Sequence, residues 1–305
     1  MFAYAKSPSI PMTTEASFYS RRRMLKQSAS LFGLAAFGPM LNMFSVPERP
    51  GYRIGVCDWS IGKGGDITAL TFAQKLGLDG VMVSLGSVKD NMHLRQKEVQ
   101  EAYLSASRKS GVQISSLAIG EMNNVPYKSS PLAEEWVKDS IDVAKALGCK
   151  VILLAFFNNG DLRGDEAGIK EVIRRLKKVA PKAEKAGVIL GIESWLSAKE
   201  HLKIIEAIGS PNVRVYFDVA NSHQMGHDIY SEMALLGTKY ICEVHLKENG
   251  ALLGKGVIDF KRVKKVLDHI GYQGWVIMEG GIPPGATVAD AYASNTAYIR
   301  SVFSL

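Results

Sequence analysis

At 305 residues the chain is long enough for one large domain or two average ones, and its 47% apolar content supports a sizeable buried core. The net charge of +7 raises the question of a nucleic-acid partner. More than half of that excess lies within residues 1–50, where Lys6, Arg21, Arg22, Arg23, Lys26 and Arg49 face only Glu15 and Glu48. The remainder is too small to imply a polyanion partner, so no nucleic acid is expected. The cysteines, Cys57, Cys149 and Cys242, lack metal-motif spacing and default to buried free thiols.

Taken in order, the chain opens on an address rather than a fold. Ser20-Arg21-Arg22-Arg23-Met24-Leu25-Lys26 resembles the twin-arginine export signal, with Met in place of its Phe. Residues 30–46 follow as an apolar stretch interrupted by Gly33, Gly38 and Pro39, too short and broken to span a membrane. The expectation is a signal or disordered segment over residues 1–50, export through the twin-arginine machinery and a periplasmic location. The mature start falls near residues 45–52, and Met12 is an alternative initiation point.

From residue 52 the pattern alternates. Apolar, β-branched runs predict strands at 52–60, 80–85, 112–119, 150–157, 188–193, 213–218, 240–246 and 275–279. Helical periodicity predicts helices at 67–76, 95–109, 132–147, 166–185, 198–208, 228–236, 260–270 and 288–303. Glycines at 77, 111, 148, 187, 209 and 271 stand where helices end in a left-handed turn, and Asp259 and Thr287 suit N-caps. Eight βα units in one run predict a parallel sheet closed into a single (β/α)8 TIM barrel over residues 51–305. A doubly wound sheet is the competitor, but Ile61-Gly62-Lys63-Gly64-Gly65-Asp66 lacks the dinucleotide-binding glycine spacing.

The last four strands each end in a metal-competent residue: Glu193, Asp218, His245 and Glu279. The C-terminal strand ends of such a barrel form its active face. Three carboxylates and one imidazole make a hard, mostly oxygen site for one divalent metal, Mn²⁺, Mg²⁺ or Co²⁺, with Zn²⁺ also compatible. Alternation along the strands places Glu243 and Arg214 on the inside with His245 and Asp218, and the two charges are expected to pair there.

Gly191-Ile192-Glu193-Ser194, Phe217-Asp218-Val219-Ala220-Asn221, Val244-His245-Leu246-Lys247, Gly254-Lys255-Gly256-Val257-Ile258-Asp259-Phe260 and Gly274-Trp275-Val276-Ile277-Met278-Glu279 resemble the xylose-isomerase-like TIM barrels, the sugar phosphate isomerase/epimerase superfamily. The resemblance covers about residues 52–305 and implies that Glu193, Asp218, His245 and Glu279 hold one metal. It also implies that the catalytic Glu193 and Glu279 move a proton on the substrate carbon. Two departures stand out: Asn221 replaces a histidine that many members carry three residues after the aspartate, and Met82 replaces a glutamate in strand two. With Ser84 and Ile119 at other strand ends, Asn221 also argues against the three-metal apurinic-site endonucleases of the superfamily.

Candidate substrate-binding residues are Trp59, Glu121, Trp195, Asn221, His223 and Lys247, with Asn158 and Asn159 also placed after a strand. His93, His201 and His269 read as surface or core residues. The expected activity is a metal-dependent isomerase or epimerase on a ketose or related keto sugar, through an enediolate. A lyase or hydratase on a 3-keto glycoside is the rival enzyme, and a non-catalytic sugar-binding barrel is the alternative of another class. Homo-oligomer formation is left open.

Overall fold

A computed structural model of the chain describes residues 51–304; the twin-arginine-like segment lies outside them. Eight parallel strands close into a barrel in sequence order: β1 (Tyr52–Cys57), β2 (Gly80–Ser84), β3 (Gln113–Ile119), β4 (Val151–Phe156), β5 (Ile189–Ser194), β6 (Val213–Asp218), β7 (Ile241–Leu246) and β8 (Gly274–Met278). Strand β8 returns to β1 with Tyr52 opposite Gly274. The helices are α1 (Thr68–Lys75), α2 (Lys97–Ser110), α3 (Pro131–Leu147), α4 (Glu166–Ala186), α5 (Ala198–Ile208), α6 (Val219–Gln224), α7 (Ile229–Tyr240), α8 (Phe260–His269) and α9 (Val288–Phe303).

This is the predicted barrel, for a physical reason visible in β4. Each of its residues, Val-Ile-Leu-Leu-Ala-Phe, is buried, because helices cover one face and the barrel interior the other. Helix ends obey the local signals: Gly148 and Gly187 close α3 and α4 at φ of 75° and 69°, and Asp259 Oδ1 accepts the Arg262 amide at 3.0 Å to start α8. Prediction and structure differ at α6. No helix is predicted between residues 218 and 228, but the Asp218 carboxylate ends β6 and caps a short helix at once, so nine α-helices rather than eight lie among the described residues.

Side chains rather than a pore fill the interior. Met82, Leu153, Tyr216, Trp275 and Ile277 pack across it, and the Arg53 guanidinium lies over the Trp275 ring, 4.4 Å from its centroid. Gly80 makes room for that indole: a Cβ added there would run into the ring. Gly80→Ala is therefore expected to cost about 1–3 kcal/mol by overpacking, read as a lower thermal midpoint. An unchanged midpoint would show that Trp275 can move aside.

Candidate active site

The four strand-end residues converge. One ligand atom from each of Glu193, Asp218, His245 and Glu279 lies within 4.8 Å of all the others. His245 Nδ1 sits at the centre, 2.9 Å from Glu193 Oε1, 3.3 Å from Glu279 Oε2 and 3.7 Å from Asp218 Oδ2. Its Nε2 meets Cys57 Sγ at 3.3 Å, which fixes the ring and leaves Nδ1 to face the carboxylates. Glu193, Asp218 and His245 are buried, while Glu279 opens partly toward the cavity.

Asp218 resolves a tension between structural and functional roles by doing both. Its Oδ1 accepts the Asn221 amide at 2.7 Å and caps α6, whereas Oδ2 is buried with no hydrogen-bond partner. An orphaned carboxylate oxygen aimed into a cluster of two more carboxylates and an imidazole fits a divalent cation. These donors could hold Mn²⁺, Mg²⁺ or Co²⁺.

Charge is distributed unequally between the two glutamates. Burial pushes the Glu193 carboxyl up, and the nearby Glu279 and Asp218 charges add to that, although His245 opposes it. Burial would raise Glu279 as well, but His245, Lys247 and Trp59 together hold it well below the ordinary range. The contacts are direct: Trp59 Nε1 donates to Glu279 Oε1 at 2.9 Å and Lys247 Nζ to Oε2 at 3.0 Å. Burial alone would lower His245, yet Cys57, Glu193 and Glu279 more than reverse it and raise its proton affinity.

A cavity of about 480 Å³ opens above this cluster. Trp59, Glu121, Trp195, Asn221 and Lys247 line it, as the sequence suggested, and so does Asn158. His223 does not: it is exposed on α6, and its neighbour Gln224 lines the cavity instead. Asn159 turns away and donates to the Asn124 carbonyl at 3.2 Å. His201 is a core residue, held by Ser194 Oγ at 2.9 Å.

Sequence reasoning passed over several residues. Asp58, fully buried just after β1, accepts Ser84 N at 2.8 Å, Ser84 Oγ at 2.7 Å and Gly65 N at 3.1 Å. It ties the loop that carries Trp59 to the end of β2, and so positions the indole on Glu279. The predicted first strand runs on to residue 60 and so hides Asp58 as a strand-end carboxylate, whereas β1 stops at Cys57. Phe157 and Asn123 also line the cavity; an aromatic or amide at a strand end gives no comparable signal, because both are common in packing and turns.

The expected Arg214–Glu243 pair is not formed. Arg214 lies near the start of β6, opposite Gly191, with Nε on the Pro211 carbonyl at 3.0 Å. Glu243 stands opposite Tyr216, two residues further along β6 than Arg214, so the two charges sit at different levels of the ladder. Glu243 is inside as expected, but its Oε2 and the Tyr216 hydroxyl are buried without hydrogen bonds.

Burial pushes the Glu243 carboxyl up to about 8 from an ordinary 4.5, against the favourable influence of Ser116 and Tyr216. The folded state therefore keeps this proton over a pH range in which the unfolded chain has lost it, and the contribution to stability falls as pH rises through that window. Glu243→Gln removes the penalty. The variant is expected to match the parent near pH 4.5 and to exceed it at pH above 8, by an amount on the order of 4 kcal/mol. Urea unfolding at the two pH values measures this, and equal pH slopes for both proteins would refute it.

Comparison with known proteins agrees with the barrel. The family model described as Xylose isomerase-like TIM barrel matches residues 70–301. A 2-epi-5-epi-valiolone 7-phosphate 2-epimerase of Actinoplanes sp. is 23% identical over 211 residues, covering 67% of this chain and 77% of that protein. A putative L-ribulose-5-phosphate 3-epimerase of Escherichia coli (strain K12) is 26% identical over 234 residues, covering 69% and 82%. Among solved structures, the 3-keto-D-glucoside 4-epimerase of E. coli superposes with a TM-score of 0.69 at 16% identity, over 82% of this chain and 99% of that one. With eight βα units closed in order and the family pattern running through all but the first of them, the chain belongs to the xylose isomerase-like TIM barrel family.

Proposed function

We propose that this protein is a divalent-metal-dependent isomerase or epimerase that moves a proton on the carbon next to the carbonyl of a ketose or related keto sugar. The observation that carries this is the convergence of Glu193 and Glu279, from β5 and the end of β8, on one buried imidazole nitrogen at the floor of an open cavity. A metal held by Glu193, Asp218, His245 and Glu279 would supply Lewis-acid stabilisation of the oxygen that becomes negative as the proton leaves.

The chain's own residues supply the rest. Glu279, kept charged by Lys247 and Trp59, is set to take the proton. Glu193, whose proton affinity burial raises, is set to return one from the other strand. Trp59 and Trp195 offer faces for the sugar, and Asn221 and Glu121 reach its hydroxyls. Epimerase activity in the named relatives supports the reaction class.

The test is carbon-bound exchange. Metal-loaded protein is incubated in D₂O with ketoses and 3-keto glycosides. Deuterium at the α-carbon of an isomerised product is the expected result. Release of an aglycone would instead mean a lyase. Sugar binding without exchange or turnover, unchanged by Glu279→Gln, would mean a binding barrel. We also propose export by the twin-arginine route, on the strength of residues 20–26. An active barrel recovered from the periplasm only when Arg21, Arg22 and Arg23 are intact is the expected outcome.

A further inference from the structure

We infer that the substrate of this site is an uncharged sugar rather than a sugar phosphate. The inference rests on the isomerase/epimerase reading and sharpens it, since relatives named for phosphorylated and for unphosphorylated substrates share this fold.

The charge of the cavity wall carries the argument. Its charged lining consists of Glu121, Glu193, Glu279 and Lys247, so among the described lining residues one cation faces three carboxylates. That cation is committed: Lys247 Nζ is 3.0 Å from Glu279 Oε2 and 3.9 Å from Asp218 Oδ2. A divalent metal together with Lys247 would balance Glu193, Asp218 and Glu279, leaving Glu121 as the surplus charge. A phosphate dianion entering this space would meet no free guanidinium or ammonium and an uncompensated carboxylate.

Two other sources of anion binding are closed as well. Arg163 lies over the Trp195 ring, 4.5 Å from its centroid, but its guanidinium is spent on Asp161, with Nε and Nη2 contacts at 2.8–3.2 Å. At the start of α6 the Asn221 N–H is already taken by Asp218 Oδ1 at 2.7 Å.

What the wall does offer suits hydroxyls and C–H faces. Asn123, Asn158, Asn221, Gln224 and Asn249 line it with carboxamides that both donate and accept. Phe157 and Trp195 form an edge-to-face pair with ring centroids 5.1 Å apart, and Trp59, which also lines the cavity, is held by its Nε1 bond to Glu279 Oε1. Amides and aromatic faces recognise a neutral polyol without any charge to pair.

The experiment uses the full metal-loaded chain and a panel of ketopentoses, ketohexoses and keto glycosides, each with its phosphate ester where one exists. Equilibrium binding is measured by calorimetry at low and high salt. At least one uncharged sugar is expected to bind, at least about tenfold tighter than its phosphate ester, with an affinity that salt leaves unchanged. A phosphate ester that equals or exceeds its neutral counterpart overturns the inference, and so does a panel in which no uncharged sugar binds. Deuterium exchange on the same panel tests the reaction separately. Neutral binding without exchange would sink the isomerase reading and leave the charge preference standing.

Discussion

Glu279→Gln is expected to leave a folded barrel whose turnover has fallen by about 10²–10⁴-fold, the usual contribution of a positioned proton carrier. The fold survives because the amide oxygen can still accept from Trp59 Nε1 or Lys247 Nζ, which hold the native carboxylate at 2.9 and 3.0 Å. The chemistry fails because a carboxamide cannot take a proton from carbon. Loss of one metal donor adds to the effect, so metal titration must accompany the kinetics. If the variant binds metal near the native level and still lacks α-carbon deuterium exchange, the proton-transfer role is supported. Retention of full exchange would remove Glu279 from the mechanism.

Addition of Mn²⁺ or Co²⁺ to chelator-treated protein is expected to raise its thermal midpoint substantially. Without a cation, three carboxylates crowd His245 Nδ1 within 3.7 Å, and one of their oxygens, Asp218 Oδ2, is buried with no hydrogen bond. A cation at a concentration one hundred times its dissociation constant stabilises the folded state by about 2.7 kcal/mol. At roughly 2–4 °C per kcal/mol for a domain of this size class, that is about 5–10 °C. Asp218→Asn discriminates between metal binding and general ion effects. Asparagine keeps an oxygen to cap α6 through the Asn221 amide but removes the charge that Oδ2 directs at the cluster. In that variant the metal-induced rise should shrink to near zero while the metal-free midpoint stays close to the parent's. An equal rise in both proteins would place the stabilising ion elsewhere.

Much of this architecture could be read along the chain, because its determinants are local. Runs of β-branched residues, helical periodicity and helix-ending glycines each act over a few residues, and their strict alternation already implied a closed barrel. The ligand quartet followed from the same logic. In a βα barrel every strand ends on one face, so Glu193, Asp218, His245 and Glu279, far apart in sequence, needed only to be strand ends to meet.

What the linear pattern left open depends on distances across the barrel and on levels along it. Glu243 stands opposite Tyr216, two residues further along β6 than Arg214, and alternation along each strand says which face a side chain takes but not the level at which it sits. His223 and Gln224 are adjacent on α6, and only the helix's orientation puts the second rather than the first on the cavity. Trp59 reads as a sugar-stacking candidate from its place after β1; that its N–H holds Glu279, 220 residues away, is a property of barrel closure between β8 and β1. Local propensity thus specifies which side chains reach the active face. The charge balance there, with Lys247 committed to Glu279 and one oxygen of Asp218 left without a hydrogen bond, is decided by how the closed barrel brings separate strand ends within a few ångströms.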